Sequence, residues 1–254
     1  MQLHCEVLGS GAPLVILHGL FGSLENWRPV GKSLASEFKL FLVDQRNHGL
    51  SPHSQEMNYE VMAEDLVQLL ANQSLAEACV LGHSMGGKTA MQLALLHPQV
   101  VEKLIVVDIS PASDSARHRP TIEGMLGLKL SHFQTRNAIE QALEPSVPDL
   151  AMRRFLLKNV ARTAHGFKWK IGLREIGENY AKLIEAIATE PRFDKPTLFI
   201  RGENSDFLRD NDLKLIRHLF PRTEMQTILG AGHLVHYEKP QAFISIVSEF
   251  LRTA

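Results

Sequence analysis

Short, unbroken apolar runs alternate along the chain with stretches whose apolar residues recur at helical spacing. Pro13-Leu14-Val15-Ile16-Leu17 is the clearest run, the pattern of a parallel strand buried on both faces. Ala78-Cys79-Val80-Leu81, Leu104-Ile105-Val106-Val107 and Pro196-Thr197-Leu198-Phe199-Ile200 repeat it, and residues 3–8, 39–43 and 223–229 read as further strands. Residues 24–37, 58–71 and 88–96 read as intervening helices. Asn58 suits the N-cap of the second, with Val61, Leu66, Leu69 and Leu70 facing a core. Lys239-Pro240 opens a last helix, with Phe243, Val247, Phe250 and Leu251 on its apolar face. Such alternation predicts an α/β fold, a mostly parallel central sheet flanked by helices.

The pattern changes across residues 112–191, where strand-like runs stop and polar, charged helical sequence takes over. Residues 122–130, 135–143, 150–160 and 173–188 are the helix candidates, and Pro145 and Pro148 interrupt them. The expected partition is a core of residues 1–111 and 192–254 carrying an inserted helical lid, or cap, of residues 112–191. Met125, Leu126, Phe155, Leu156 and Trp169 are candidates to line an acyl pocket under that lid, or else to pack it onto the core.

The most specific chemistry lies at Gly82-His83-Ser84-Met85-Gly86, between a strand run and a helix run. A serine on a sharp strand-to-helix turn is a nucleophile elbow, and the strained turn needs small residues two positions to either side. Gly82 and Gly86 meet that need, and the helix N-terminus behind Ser84 favours developing negative charge. Upstream, the strand ending at Leu17 runs into His18-Gly19-Leu20-Phe21-Gly22. A glycine-containing turn there directs backbone N–H groups at a shared site, so Leu20 and Met85 are the candidate oxyanion donors. Downstream, Gly230-Ala231-Gly232-His233 follows the last strand and presents His233, whose side chain suits accepting a proton from Ser84.

Two acids compete to orient that histidine. Asp108 ends one strand, and Asp206 lies beyond another within Arg201-Gly202-Glu203-Asn204-Ser205-Asp206. With either, the chain order is Ser, acid, His. Asp44 and Arg46 read as loop-fixing residues, His48 and His236 as structural or rim residues, and Lys88 as pointing away from the serine. His18, His48, His83 and His233 lack the spacing of a zinc helix, so no metal is expected, and a serine–histidine–acid mechanism needs no cofactor.

On these motifs the chain resembles the α/β-hydrolase superfamily over nearly its whole length. Asp44-Gln45-Arg46-Asn47-His48-Gly49-Leu50-Ser51-Pro52, Gly86-Gly87-Lys88 and Val107-Asp108-Ile109-Ser110-Pro111 narrow the likeness to the small bacterial YbfF-type esterases and their mitochondrial relatives. That resemblance implies an α/β-hydrolase fold and a serine esterase acting on short acyl esters, or on acyl thioesters such as acyl-CoA. Many superfamily members carry the acid three residues beyond the glycine of the later strand, where this chain has Ser205. The Asp-Ile-Ser-Pro segment resembles the YbfF-type pattern and favours Asp108. The alternatives are a cofactor-free perhydrolase or carbon–carbon hydrolase on the same triad, and a non-catalytic ligand-binding protein of the same fold.

Composition narrows the classes further. With 27 basic and 28 acidic residues the net charge is −1, and no basic block is interleaved with aromatics, which disfavours nucleic acid as a partner. No apolar run approaches the ~20 residues of a membrane span. Two cysteines, Cys5 and Cys79, in strand-like segments read as reduced and buried, and no signal peptide precedes them. The expectation is a cytoplasmic monomer or small homo-oligomer.

Overall fold

The computed structural model describes residues 1–187 and 190–253. Its main sheet has seven strands: β1 (Cys5–Leu8), β2 (Ala12–Leu17), β3 (Phe38–Val43), β4 (Ala78–His83), β5 (Val101–Val107), β8 (Thr197–Gly202) and β9 (Thr223–Ile228). Their order is β1-β3-β2-β4-β5-β8-β9. Only β1 runs antiparallel to its neighbour. The remaining strands, β6 (Val160–Thr163) and β7 (Gly166–Trp169), form a separate antiparallel hairpin.

The apolar runs of the central strands split between the two faces of the sheet, as a period of two requires. Leu14 and Ile16 of β2 pack with Leu40 and Leu42 of β3 on one face, against Trp27, Val30, Leu34, Phe243 and Val247. Those partners come from α1 (Arg28–Leu34), the 3-10 turn before it, and the C-terminal helix α10 (Pro240–Arg252). Val15, Leu17, Phe41 and Val43 face the other way, onto Leu66, Leu69 and Met91 of α2 (Tyr59–Asn72) and α3 (Met85–Leu96). Asn58 caps α2 by accepting from the Val61 amide at 2.9 Å.

Residues between β5 and β8 carry α4 (Arg119–Gly127), α5 (Arg136–Leu143), α6 (Leu150–Leu157) and α7 (Leu173–Leu183). The hairpin β6–β7 sits among them, although no strand was expected there: its strands of four residues each are too short to show period-two alternation. The helix expected over 173–188 stops at Leu183, and Ala188 lies outside the described residues. Two short helices also escaped the periodicity, α8 (Leu213–Leu219) and α9 (Val235–Glu238). Backbone bonds close the base of this insert, from Asp114 N to Ile184 O at 2.7 Å and from Ile187 N to Pro111 O at 3.0 Å.

Candidate active site

Ser84 stands at the end of β4 with φ 53 and ψ −119, a conformation that L-residues rarely adopt. Close packing makes the turn possible. A Cβ on Gly82 would overlap the Gly86 carbonyl, and one on Gly86 would approach the His18 and Leu17 oxygens. Met85 begins α3, where an amide has no acceptor within the helix. The turn after β2 closes from Gly22 N to Gly19 O at 3.0 Å, with Leu20 at its second position. A Cβ on Gly19 would lie 3.2 Å from Ser84 Cβ, so this turn runs directly alongside the serine.

Two neutral histidines hold that turn. His18 accepts from Gln45 N at 3.1 Å through Nε2 and donates from Nδ1 to Gly19 O at 2.8 Å, and His48 Nε2 accepts from Phe21 N at 3.3 Å. Asp44 ties the neighbouring loop by accepting from Leu24 N at 2.8 Å and Leu50 N at 2.9 Å, and Arg46 pairs with Asp65 at 2.7 Å. His236 is buried in a stack on Trp27, 4.1 Å between ring centroids.

The acids separate cleanly. Asp108, fully buried and itself at φ 53, directs its carboxylate at the ends of β8 and β9. Oδ1 accepts from Gly202 N at 3.0 Å, while Oδ2 takes the Ser205 hydroxyl and lies 2.7 Å from His233 Nδ1. A carboxylate only accepts, so Nδ1 carries the proton and Nε2 is left free to take one. Ser84 and Asp108 are adjacent through the bond from Ser84 N to Val107 O, 3.0 Å. Asp206 faces solvent and pairs with Arg117 at 2.7 Å and Arg209 at 3.3 Å. The Arg117 hydrogen bond holds its carboxyl below the usual carboxylate range.

Three contacts of the His233 loop carried no signal in the spacing. Glu238 accepts from Gly232 N at 2.7 Å and from Leu234 N at 3.1 Å, bracketing His233. His83 donates from Nε2 to His233 O at 2.9 Å. Phe207 stacks on the His233 ring at 3.7 Å, with the Arg117 guanidinium 3.9 Å from the centre of the Phe207 ring. Ser205 was legible only as a departure from the common acid position.

A cavity of about 30 Å³ beside Ser84 is lined by Leu20, Met85 and Ile109 from the core and by His118, Leu183 and Ile184 from the insert. Of the two readings of the insert's apolar residues, packing onto the core holds for four: Met125 and Leu156 are buried in the core and Phe155 and Trp169 pack against it, while Leu126 is exposed and none of the five lines this cavity. Lys88 is corrected. Four residues after Ser84 it comes round to the same side of the helix, and its buried ammonium donates to Ala112 O at 2.8 Å and Glu185 O at 2.6 Å. Burial pulls its pKa down to about 8. Among the described residues, no cluster of His, Cys, Asp and Glu is arranged to hold a metal.

Burial keeps His18 and His118 uncharged down to about pH 4 and His48 and His236 down to about 3, against an ordinary 6.5. The unfolded chain therefore takes up protons first, between about pH 6.5 and 4, and stability falls as pH falls through that window. Urea midpoints measured from about pH 8 to 4.5 are expected to be flat above 7 and to drop steadily below 6.5. A midpoint unchanged between pH 7 and 5 would contradict the neutral burial of these rings.

The family model for the alpha/beta hydrolase fold matches residues 12–240. The chain is 39% identical over 246 residues to a mouse protein named sn-1-specific diacylglycerol lipase ABHD11, covering 94% of this chain and 80% of that one. It is 34% identical over 245 residues to the Escherichia coli esterase YbfF, covering 95% and 94%. A solved marine microorganism esterase superposes with a TM-score of 0.95 at 40% identity, covering 98% of this chain and 99% of that one.

Proposed function

The chain belongs to the α/β-hydrolase family, and from that premise we propose that it is a serine esterase acting on short acyl carboxylic esters and on acyl thioesters such as acyl-CoA. The observation that carries the reading is the buried Asp108 carboxylate 2.7 Å from His233 Nδ1, at the mouth of the strained Ser84 turn. Relatives named esterase and diacylglycerol lipase support the ester class.

In this mechanism His233, held in one tautomer by Asp108, takes the Ser84 proton on Nε2 as Ser84 Oγ attacks the acyl carbon. The Leu20 and Met85 amides receive the oxyanion. The alcohol or thiol departs with the proton from His233, leaving an acyl group on Ser84. Water, deprotonated by the same imidazole, then releases the acid. Every step uses side chains and amides of this chain, with no cofactor.

Residues 112–191 act in this reading as a lid whose two ends are clamped by Lys88. The acyl group occupies the cavity beside Ser84 and the polar leaving group the adjoining cleft of about 130 Å³, which shares Ile109, Asp114 and Phe207 with it and is lined by Asp206 and Asp212 as well as by Arg117 and Arg209. Among the described residues no helix is long and apolar enough to cross a membrane, and both cysteines are free. Free thiols fit a reducing compartment, here the cytoplasm.

The test is turnover of p-nitrophenyl and CoA acyl series from two to sixteen carbons. The small cavity predicts kcat/KM highest at about two to four carbons and at least tenfold lower by about twelve. A rise with chain length would replace the short-acyl reading by a lipase reading in which the insert opens. Absence of turnover on every ester and thioester would remove the esterase reading.

A further inference from the structure

Phe21 occupies the third position of the turn from Gly19 to Gly22 with φ 62, a left-handed backbone that glycine or asparagine normally fills. A phenylalanine stays there only where its surroundings hold both flanking peptides. One is held from the core, where His48 Nε2 accepts the Phe21 amide proton. The other is held from the insert. Asn159, between α6 and β6, donates from Nδ2 to Phe21 O at 2.7 Å across 138 residues of chain.

Both partners of this bond are buried, Phe21 at 2% exposure and Asn159 at 4%. The Asn159 backbone is itself fixed, donating to Leu156 O at 2.9 Å and accepting from Lys170 N at 2.7 Å. A second insert residue, His118, meets the Phe21 ring edge-on at 5.8 Å. We propose that Asn159 is a positioning residue of the oxyanion turn, so that the hydrolytic site is complete only while the insert is seated on the core. This rests on the serine-esterase reading for its catalytic consequence.

The clamp at the base of the insert and the contact in its middle act separately. Lys88 fastens the two ends at Ala112 and Glu185, whereas Asn159 reaches Phe21 from the body of the insert. Lifting the body about those ends breaks the Asn159 bond while the base stays attached. The Phe21–Gly22 peptide then loses its anchor, Phe21 relaxes from the left-handed region, and the turn that carries the Leu20 N–H beside Ser84 loses its fixed shape. Seating the insert over a bound acyl group restores the turn, which couples closure to transition-state binding.

Asn159→Leu, close in size and without a donor, and Asn159→Ala test this, with thermal unfolding confirming that each is folded. Outright loss of an oxyanion donor lowers kcat by roughly 10²–10³, and a misaligned one is expected to lower it by about 10- to 100-fold. KM should stay within about threefold, and affinity for a trifluoromethyl ketone, whose adduct carries an oxyanion, should weaken in step with kcat. Hydrogen exchange in the peptide spanning residues 18–24 should accelerate in both variants. Exchange there equal to wild type overturns the proposal whether or not the protein hydrolyses esters. So does a wild-type kcat, or a loss confined to KM. Wild type that neither turns over esters nor forms the ketone adduct, with exchange accelerated as expected, instead overturns the esterase reading and leaves the Asn159 link supported.

Discussion

Ser84→Ala is expected to abolish ester hydrolysis, lowering kcat by about 10⁶ and leaving only the ~10³–10⁴ over water that binding and oxyanion donors supply. The size of the effect follows from chemistry that no neighbour can replace. Ser84 alone is raised on the turn between β4 and α3, with the Met85 amide at a helix start and the Leu20 turn alongside. The hydroxyl lost is small and the site is 9% exposed, so the fold should be unaffected and unfolding midpoints should match wild type. Mass spectrometry of protein treated with a fluorophosphonate provides the check: one adduct on wild type, mapped to the peptide containing Ser84, and none on the variant. Residual turnover above about 1% of wild type in Ser84→Ala would sink the nucleophile assignment.

Asp108→Asn is expected to lower kcat by roughly 10⁴, and Asp206→Asn by less than about threefold. An amide at position 108 keeps the volume but offers an N–H or a neutral oxygen where His233 Nδ1 now donates. The imidazole loses the partner that fixes its tautomer and stabilises its charged form. The Gly202 amide and the Ser205 hydroxyl, which also donate to this carboxylate, lose an anionic acceptor at the same time. Asp206 instead anchors Arg117 behind Phe207, at the protein surface, where an ion pair contributes little. Parallel kcat measurements on the two variants decide the matter. Near-wild-type activity in Asp108→Asn with a collapse in Asp206→Asn would move the acid to the later loop.

Much of the fold was legible because its signals are local. The central strands are buried on both faces, so β2, β4, β5 and β8 announce themselves as unbroken apolar runs, and Asn58 and Pro240 mark helix starts by the chemistry of their own residues. The elbow is equally local. Gly82 is dictated by the Gly86 carbonyl four residues on, and Gly86 by the Leu17 and His18 oxygens of the neighbouring strand end, but both needs fall within one five-residue turn, so their spacing survives in the sequence as a motif. The insert was readable as helical but not in its details. Its hairpin strands are too short for periodicity, and its helices bury different faces in turn against the core and against one another.

Other features have no local signature. The partner of His233 depends on which strand ends beside the β9 loop and on the left-handed turn that swings the Asp108 side chain toward Gly202 and Ser205, 94 and 97 residues away in sequence. Lys88 reads from the sequence as pointing away from the serine, because only the segments of the insert that cover it supply the carbonyls that hold its ammonium. The cavity lining followed the same rule: His118, Leu183 and Ile184 reach Ser84 because of how the base of the insert is folded, not because of hydrophobicity, which Met125 and Leu156 share. By itself the sequence determined the alternation of elements, the serine turn and the glycine-flanked histidine loop, because each shows its residue types within a few positions of chain even where distant groups complete it. The pairing of Asp108 with His233, the burial of Lys88, the cavity beside Ser84 and the Asn159 bond to the turn after β2 were decided only by the tertiary structure, because each joins groups that no spacing rule relates.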